Sequence, residues 1–159
     1  MSFSLRIGLI ALFLFGFILA VLYPRLPVWH EDTALEPAMI LRGEPNCDPV
    51  QGPCIAYGEG ISLSLSLQGP VRVLTPFPVT LQLDSPEAVP PIRGIAVTFS
   101  MVGMSMGFNR FNLEQRNPQT WQGQAMLPVC SLGRTDWRIA VEVTGDPPYE
   151  AEFFTVVNR

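Results

Sequence analysis

The chain of 159 residues contains no lysine and only one histidine, His30. Its ten basic residues are all arginine, and they face fourteen acidic residues, so the net charge at pH 7 is −4. An acidic chain repels phosphate backbones, which argues against nucleic acid as a partner. A lone histidine argues against zinc sites and catalytic triads, both of which generally depend on histidine.

Residues 103–107 nevertheless match the G-x-S-x-G pattern of a hydrolase nucleophile elbow, centred on Ser105. That elbow needs a strand, a sharp turn and a helix, and its histidine follows the serine in the chain. No helical periodicity follows residue 107, and His30 lies far upstream. We therefore expect that the protein is not an enzyme.

Charged side chains are absent from residues 7–23. As a helix this run is roughly 25 Å long, enough to cross a bilayer core with some local thinning. A signal peptide is the alternative, but its apolar core is normally about 7–15 residues and ends at a small-x-small cleavage site. Here the run is longer and ends in bulky residues. We predict that residues 1–23 are an uncleaved transmembrane anchor in contact with lipid.

Three cysteines are present, Cys47, Cys54 and Cys130. The first two bracket the sequence CDPVQGPC, whose Asp-Pro and Gly-Pro pairs favour a tight bend. A disulfide closing this loop fits an oxidising compartment. Two reduced thiols on a cytosolic loop are the alternative, and Cys130 can in principle pair with either of the others. We predict the Cys47–Cys54 disulfide, which leaves Cys130 outside it.

Proline is frequent and periodicity is weak in residues 24–60, so this segment is predicted to be a linker that carries the Cys47/Cys54 loop. Beyond it, apolar and polar residues alternate in six segments separated by turn signals: 61–67, 79–84, 95–101, 121–127, 137–143 and 153–157. A period of two without helical periodicity indicates an all-β domain. We predict an immunoglobulin-like antiparallel sandwich of about seven strands over residues 61–159.

Met101, Met104 and Met106 are half of the six methionines in the chain. Along an extended strand the second and third point to the same side. Thioethers are soft ligands that suit Cu(I), and Cys130 adds a thiolate if its strand runs nearby. The alternative is that methionine fills irregular core space, as Met101 does if it continues the apolar face of its strand. We predict a Cu(I) site formed by Met104 and Met106, with Cys130 and Met101 as additional ligands.

Several segments together resemble a known family: an apolar N-terminal run, PFPVTLQL at 76–83, MVGMSMG at 101–107 and WRIAVEV at 137–143. They resemble the YtkA/FixH-like group of small, membrane-anchored β-sandwich proteins of bacteria. The resemblance implies a single-pass protein of the inner membrane with its C-terminal domain in the periplasm. It also implies a link to cytochrome oxidase assembly, and copper binding through methionine and histidine. Only Met104 and Met106 carry over as ligands, because the domain lacks histidine.

We therefore expect a membrane-anchored periplasmic binding or assembly protein that handles Cu(I) or assists the assembly of a respiratory oxidase. Its expected partner is that oxidase or another copper-handling protein. The alternative is a metal-free interaction module, or an accessory subunit of an inner-membrane complex. In that case the glycine–methionine segment is a polarisable contact surface.

Overall fold

A computed structural model of the protein describes residues 37–58, 60–84, 91–104, 109–130 and 132–157. They belong to a compact unit of residues 35–159. The described residues hold nine strands: β1 (Met39–Gly43), β2 (Cys54–Gly58), β3 (Ile61–Leu67), β4 (Phe77–Asp84), β5 (Gly94–Met101), β6 (Arg110–Asn117), β7 (Thr120–Ala125), β8 (Asp136–Thr144) and β9 (Tyr149–Val156).

These strands form a closed barrel in the order β1, β2, β3, β4, β7, β6, β5, β8, β9. Neighbours are antiparallel except β1 and β9, which are parallel. The barrel closes because two strands, β1 and β6, each pair with one neighbour along their first half and with another along their second half. Residues 39–41 of β1 pair with β9 and residues 42–43 pair with β2. Residues 110–113 of β6 pair with β5, and its second half pairs with β7.

The prediction of an all-β fold is confirmed, but the immunoglobulin-like sandwich of about seven strands is wrong, because the described residues form a closed nine-stranded barrel. The six alternating segments all contribute strands. Strands β1, β2 and β6 were not predicted. β1 and β6 each bury a single residue, Leu41 and Leu113, so no alternation is visible. In β2 the exposed residues Ile55 and Tyr57 are apolar like the buried ones, which hides the alternation.

Two of the additional strands fall within residues 24–60, the segment predicted to be a linker. β1 and β2 are both paired into the barrel, so strand pairing begins at Met39 rather than at residue 61. The predicted anchor, residues 1–23, lies outside the described residues. Within the part of the chain that the structure describes, no helix is long and apolar enough to cross a membrane.

Alternation places one set of side chains inside the barrel and the other in solvent. In β3 the leucines are buried and the serines are half-exposed. The ring centroids of Phe77 and Phe99 are 5.8 Å apart in an edge-to-face contact. Burying each such side chain contributes about 1.5–3 kcal/mol. β7 passes close to β6: a Cβ at Gly123 would lie 2.8 Å from Cδ2 of Leu113 and 3.2 Å from the carbonyl oxygen of Asn112, so a larger residue here would force β6 to shift.

Candidate functional site

The predicted sulfur ligands are brought to one end of the barrel by strand pairing. β5 ends at Met101, whose partner on β8 is Trp137, the second residue of that strand. Cys130 lies in the connection that leads into β8, so it and the residues that follow Met101 belong to the same end. We call this region, defined by Met101, Met104 and Cys130, the sulfur end. Met106 lies outside the described residues.

A tight turn places Met101 and Met104 side by side. The Met104 N–H donates to the carbonyl of Met101 at 3.0 Å, and the two residues form an antiparallel bridge. Gly103 has φ 75°, and a glycine adopts this left-handed conformation without steric cost. Residues paired across a bridge project their side chains to the same face. The two thioethers therefore lie on the face that points into the barrel.

Burial at the sulfur end differs between the candidate ligands. Met101 is only 2% exposed and Cys130 only 5%, and both belong to the core. Met104 is partly buried and packs against the same core. Core packing therefore explains Met101 fully, as the alternative interpretation of the methionines predicts. Of these three side chains, Met104 is the one with access to both the core and the solvent.

An ion pair lies next to Cys130. The Arg134 Nε donates to Oδ1 of Asp136 at 2.8 Å, and this side chain makes a second hydrogen bond to Oδ2. The hydrogen bond from Arg134 lowers the pKa of Asp136 below its ordinary value. The pKa of Arg134 is raised, chiefly by that hydrogen bond and with a smaller electrostatic contribution from Cys130. Asp136 thus fixes the Arg134 side chain in the connection that also carries Cys130.

The described residues contain no group of three or more His, Cys, Asp or Glu side chains placed to hold a metal ion. A metal at the sulfur end would therefore depend on methionine sulfur. Thioether and thiolate donors together suit Cu(I) and suit hard cations poorly. Of Met101, Met104 and Cys130, Met104 is the least buried.

The predicted disulfide between Cys47 and Cys54 is confirmed. Cys54 opens β2 and is completely buried, so the disulfide attaches the preceding loop to the barrel. Asp48, inside the loop, accepts hydrogen bonds from the Thr155 hydroxyl at 2.6 Å and from the backbone N–H of Val50 at 3.0 Å. The contact between Asp48 and Thr155 spans 107 positions of sequence, and no local signal in the sequence predicts it.

Comparison of the sequence with models of known protein families finds no match, and comparison with curated proteins finds none either. A crystal structure of a DUF4785 family protein from Legionella pneumophila subsp. pneumophila str. Philadelphia 1 is similar in fold, with a TM-score of 0.44 and 11% sequence identity. The similarity covers 63% of this chain and 29% of that protein. The chain therefore matches less than a third of the length of this structural neighbour.

Proposed function

We propose that this protein is a single-pass, membrane-anchored binding or assembly protein of the bacterial periplasm that handles Cu(I). Its barrel would stand on the oxidising side of the inner membrane, where it would pass the ion to a respiratory oxidase or to another copper-handling protein. The proposal extends the resemblance to the YtkA/FixH-like group, which rests on residues 76–83, 101–107 and 137–143.

One observation carries the proposal: the turn that pairs Met101 with Met104 lies at the same barrel end as Cys130. Met101 ends β5, Met104 follows it, and Cys130 follows β7, so the strand order places all three at the same end of the barrel. The Cys47–Cys54 disulfide supports an oxidising compartment, because such bonds persist mainly outside the cytosol.

Ligand exchange is the mechanism that these side chains favour. Soft sulfur donors hold Cu(I), and a partner with its own sulfur donors can replace them one at a time. Met104 would be replaced first, because it is the least buried of Met101, Met104 and Cys130. Met106, two residues further on, would act with it. Met101 and Cys130, both in the core, would retain the ion until transfer is complete.

A Cu(I) competition titration on the full-length protein in detergent tests this proposal. We expect saturable binding that the M104L/M106L variant weakens by about tenfold or more, because Leu for Met keeps the volume and removes the thioether. Met39→Leu is the matched control, since Met39 pairs with Tyr149 at the opposite end of the barrel. Equal binding by wild type and the double variant, or binding by neither, would refute the proposal.

A further inference from the structure

A second surface, a cleft beside β9, adjoins the sulfur end, because Val102 and Asp136 line it. The register between β1 and β9 ends at the pair Leu41 and Ala151, after which β1 turns to β2. Among the described residues no strand replaces it beside the last part of β9. A cleft of about 740 Å³ lies there, between β9 and residues 43–48.

Backbone groups of β9 face this cleft. The Val157 N–H donates to the Thr135 carbonyl on the β8 side at 2.9 Å. Peptide groups alternate in direction along a strand, so those of Phe154 and Val156 point away from β8, toward the cleft. The β9 edge therefore offers donors and acceptors at the spacing that an added strand needs.

The side chains around the opening are apolar and exposed. Phe154 is 51% exposed and Val156 is 59% exposed, and both belong to the outer face of β9. Ile40 on β1 and Val102 after β5 line the same cleft and are 66% and 42% exposed. Four large apolar side chains around one groove are typical of an interaction surface, whereas isolated exposed apolar residues are ordinary.

The charge around the cleft is predominantly negative. Its lining includes one arginine, Arg42, and five carboxylates: Glu44, Asp48, Asp136, Glu150 and Glu152. Glu152 forms an ion pair with Arg138 at 3.0 Å, and Asp136 pairs with Arg134. Within the described residues Glu44 and Glu150 have no such ion pair. This surplus favours a basic partner and disfavours a second copy of this acidic chain.

We propose that the cleft binds an extended segment of a partner protein in which apolar and basic residues alternate, added as a strand to the edge of β9. Its main-chain groups would pair with Phe154 and Val156, its apolar side chains would cover Phe154 and Ile40, and its basic side chains would face Glu44 and Glu150. The 44–48 loop, which lines the cleft, is held in position, because the hydrogen bond between Asp48 and Thr155 attaches it to β9. None of these residues is a predicted copper ligand.

Fluorescence anisotropy of the full-length protein in a neutral detergent tests the proposal. The probe is a labelled peptide of about seven residues in which valine and lysine alternate, long enough to span a strand. We expect saturable binding of this probe. Replacing its lysines by glutamate, or N-methylating every second amide, should weaken binding by about tenfold or more through lost charge attraction or lost main-chain hydrogen bonds.

Two variants locate the site. Phe154→Lys removes the apolar anchor and repels the probe, and Val156→Pro removes a cleft-facing N–H; each should weaken binding by about tenfold or more. Leu74→Lys is the matched control, because Leu74 is 61% exposed and does not line the cleft. It should bind the probe as wild type does, and thermal unfolding of all variants checks that they fold.

Four results would overturn the proposal. One is absence of saturable binding by wild type. Another is equal affinity for the N-methylated and unmodified probes. The third is undiminished binding by folded Phe154→Lys. The fourth is self-association of wild type that Phe154→Lys abolishes, which would assign the cleft to a second copy.

Discussion

At the scale of single residues, two threonine hydroxyls in the barrel have different surroundings. Thr155 is only 3% exposed, and its hydroxyl donates a hydrogen bond to Oδ1 of Asp48 at 2.6 Å. The Thr98 hydroxyl is also buried, but within the described part of the chain it has no hydrogen-bond partner. A buried hydroxyl without a partner lowers stability, whereas a paired one adds to it. The same substitution should therefore have opposite effects at the two positions.

We predict that Thr155→Val lowers the free energy of unfolding by about 1 kcal/mol, because it removes the donor that satisfies Asp48. Thr98→Val should leave that free energy unchanged or raise it, since it removes an unsatisfied group. Urea denaturation followed by tryptophan fluorescence measures both. An equal decrease in the free energy of unfolding of the two variants would contradict this account of the Asp48–Thr155 contact.

At the scale of elements, β1 is the strand that closes the barrel, and its two neighbouring residues Ile40 and Leu41 face opposite sides. Leu41 is 2% exposed and belongs to the core, whereas Ile40 is 66% exposed. We predict that Leu41→Ala lowers the free energy of unfolding by about 2–5 kcal/mol, as core truncations do. Ile40→Ala should change it by less than about 0.5 kcal/mol. If both variants lost a similar, small amount of free energy of unfolding, residues 39–43 would behave as a linker.

The disulfide is a second element whose contribution can be measured. It joins cysteines separated by seven positions, and in the loop-entropy model a loop of this size contributes about 2–3 kcal/mol. We expect wild type to lose that amount when a reductant is added during urea denaturation. The C47A/C54A variant should not respond to the reductant. A response from that variant, or none from wild type, would contradict the assignment.

At the scale of the whole molecule, the boundary of the folded unit can be tested by truncation. A chain that begins at residue 35 keeps all nine strands of the described barrel, but one that begins at residue 61 loses β1 and β2. The second truncation exposes edges of β3 and β9 and part of the core. We predict cooperative thermal unfolding by circular dichroism for the first chain and none for the second. Cooperative unfolding of both would place the folding boundary near residue 61.

Sequence reasoning found the strands in which every second residue is apolar, such as β3 with its serine and leucine alternation. It also found the Cys47–Cys54 disulfide, because the loop is short and carries its own turn residues. It missed β1 and β6, in which a single buried residue gives no period. For the candidate site, the sequence indicated which residues to consider but not how buried they are. Met101 and Cys130 both belong to the core.

Local sequence was sufficient for the all-β class and the disulfide, because alternation and short loops are properties of neighbouring residues. Whether the strands form an open sandwich or a closed barrel was decided by pairing between β1 and β9, more than a hundred positions apart. The same distant pairing placed Asp48 on Thr155, and among the described strands it left the end of β9 without a neighbour on one side. Such contacts form only when the folded core brings remote segments together, so no local pattern encodes them.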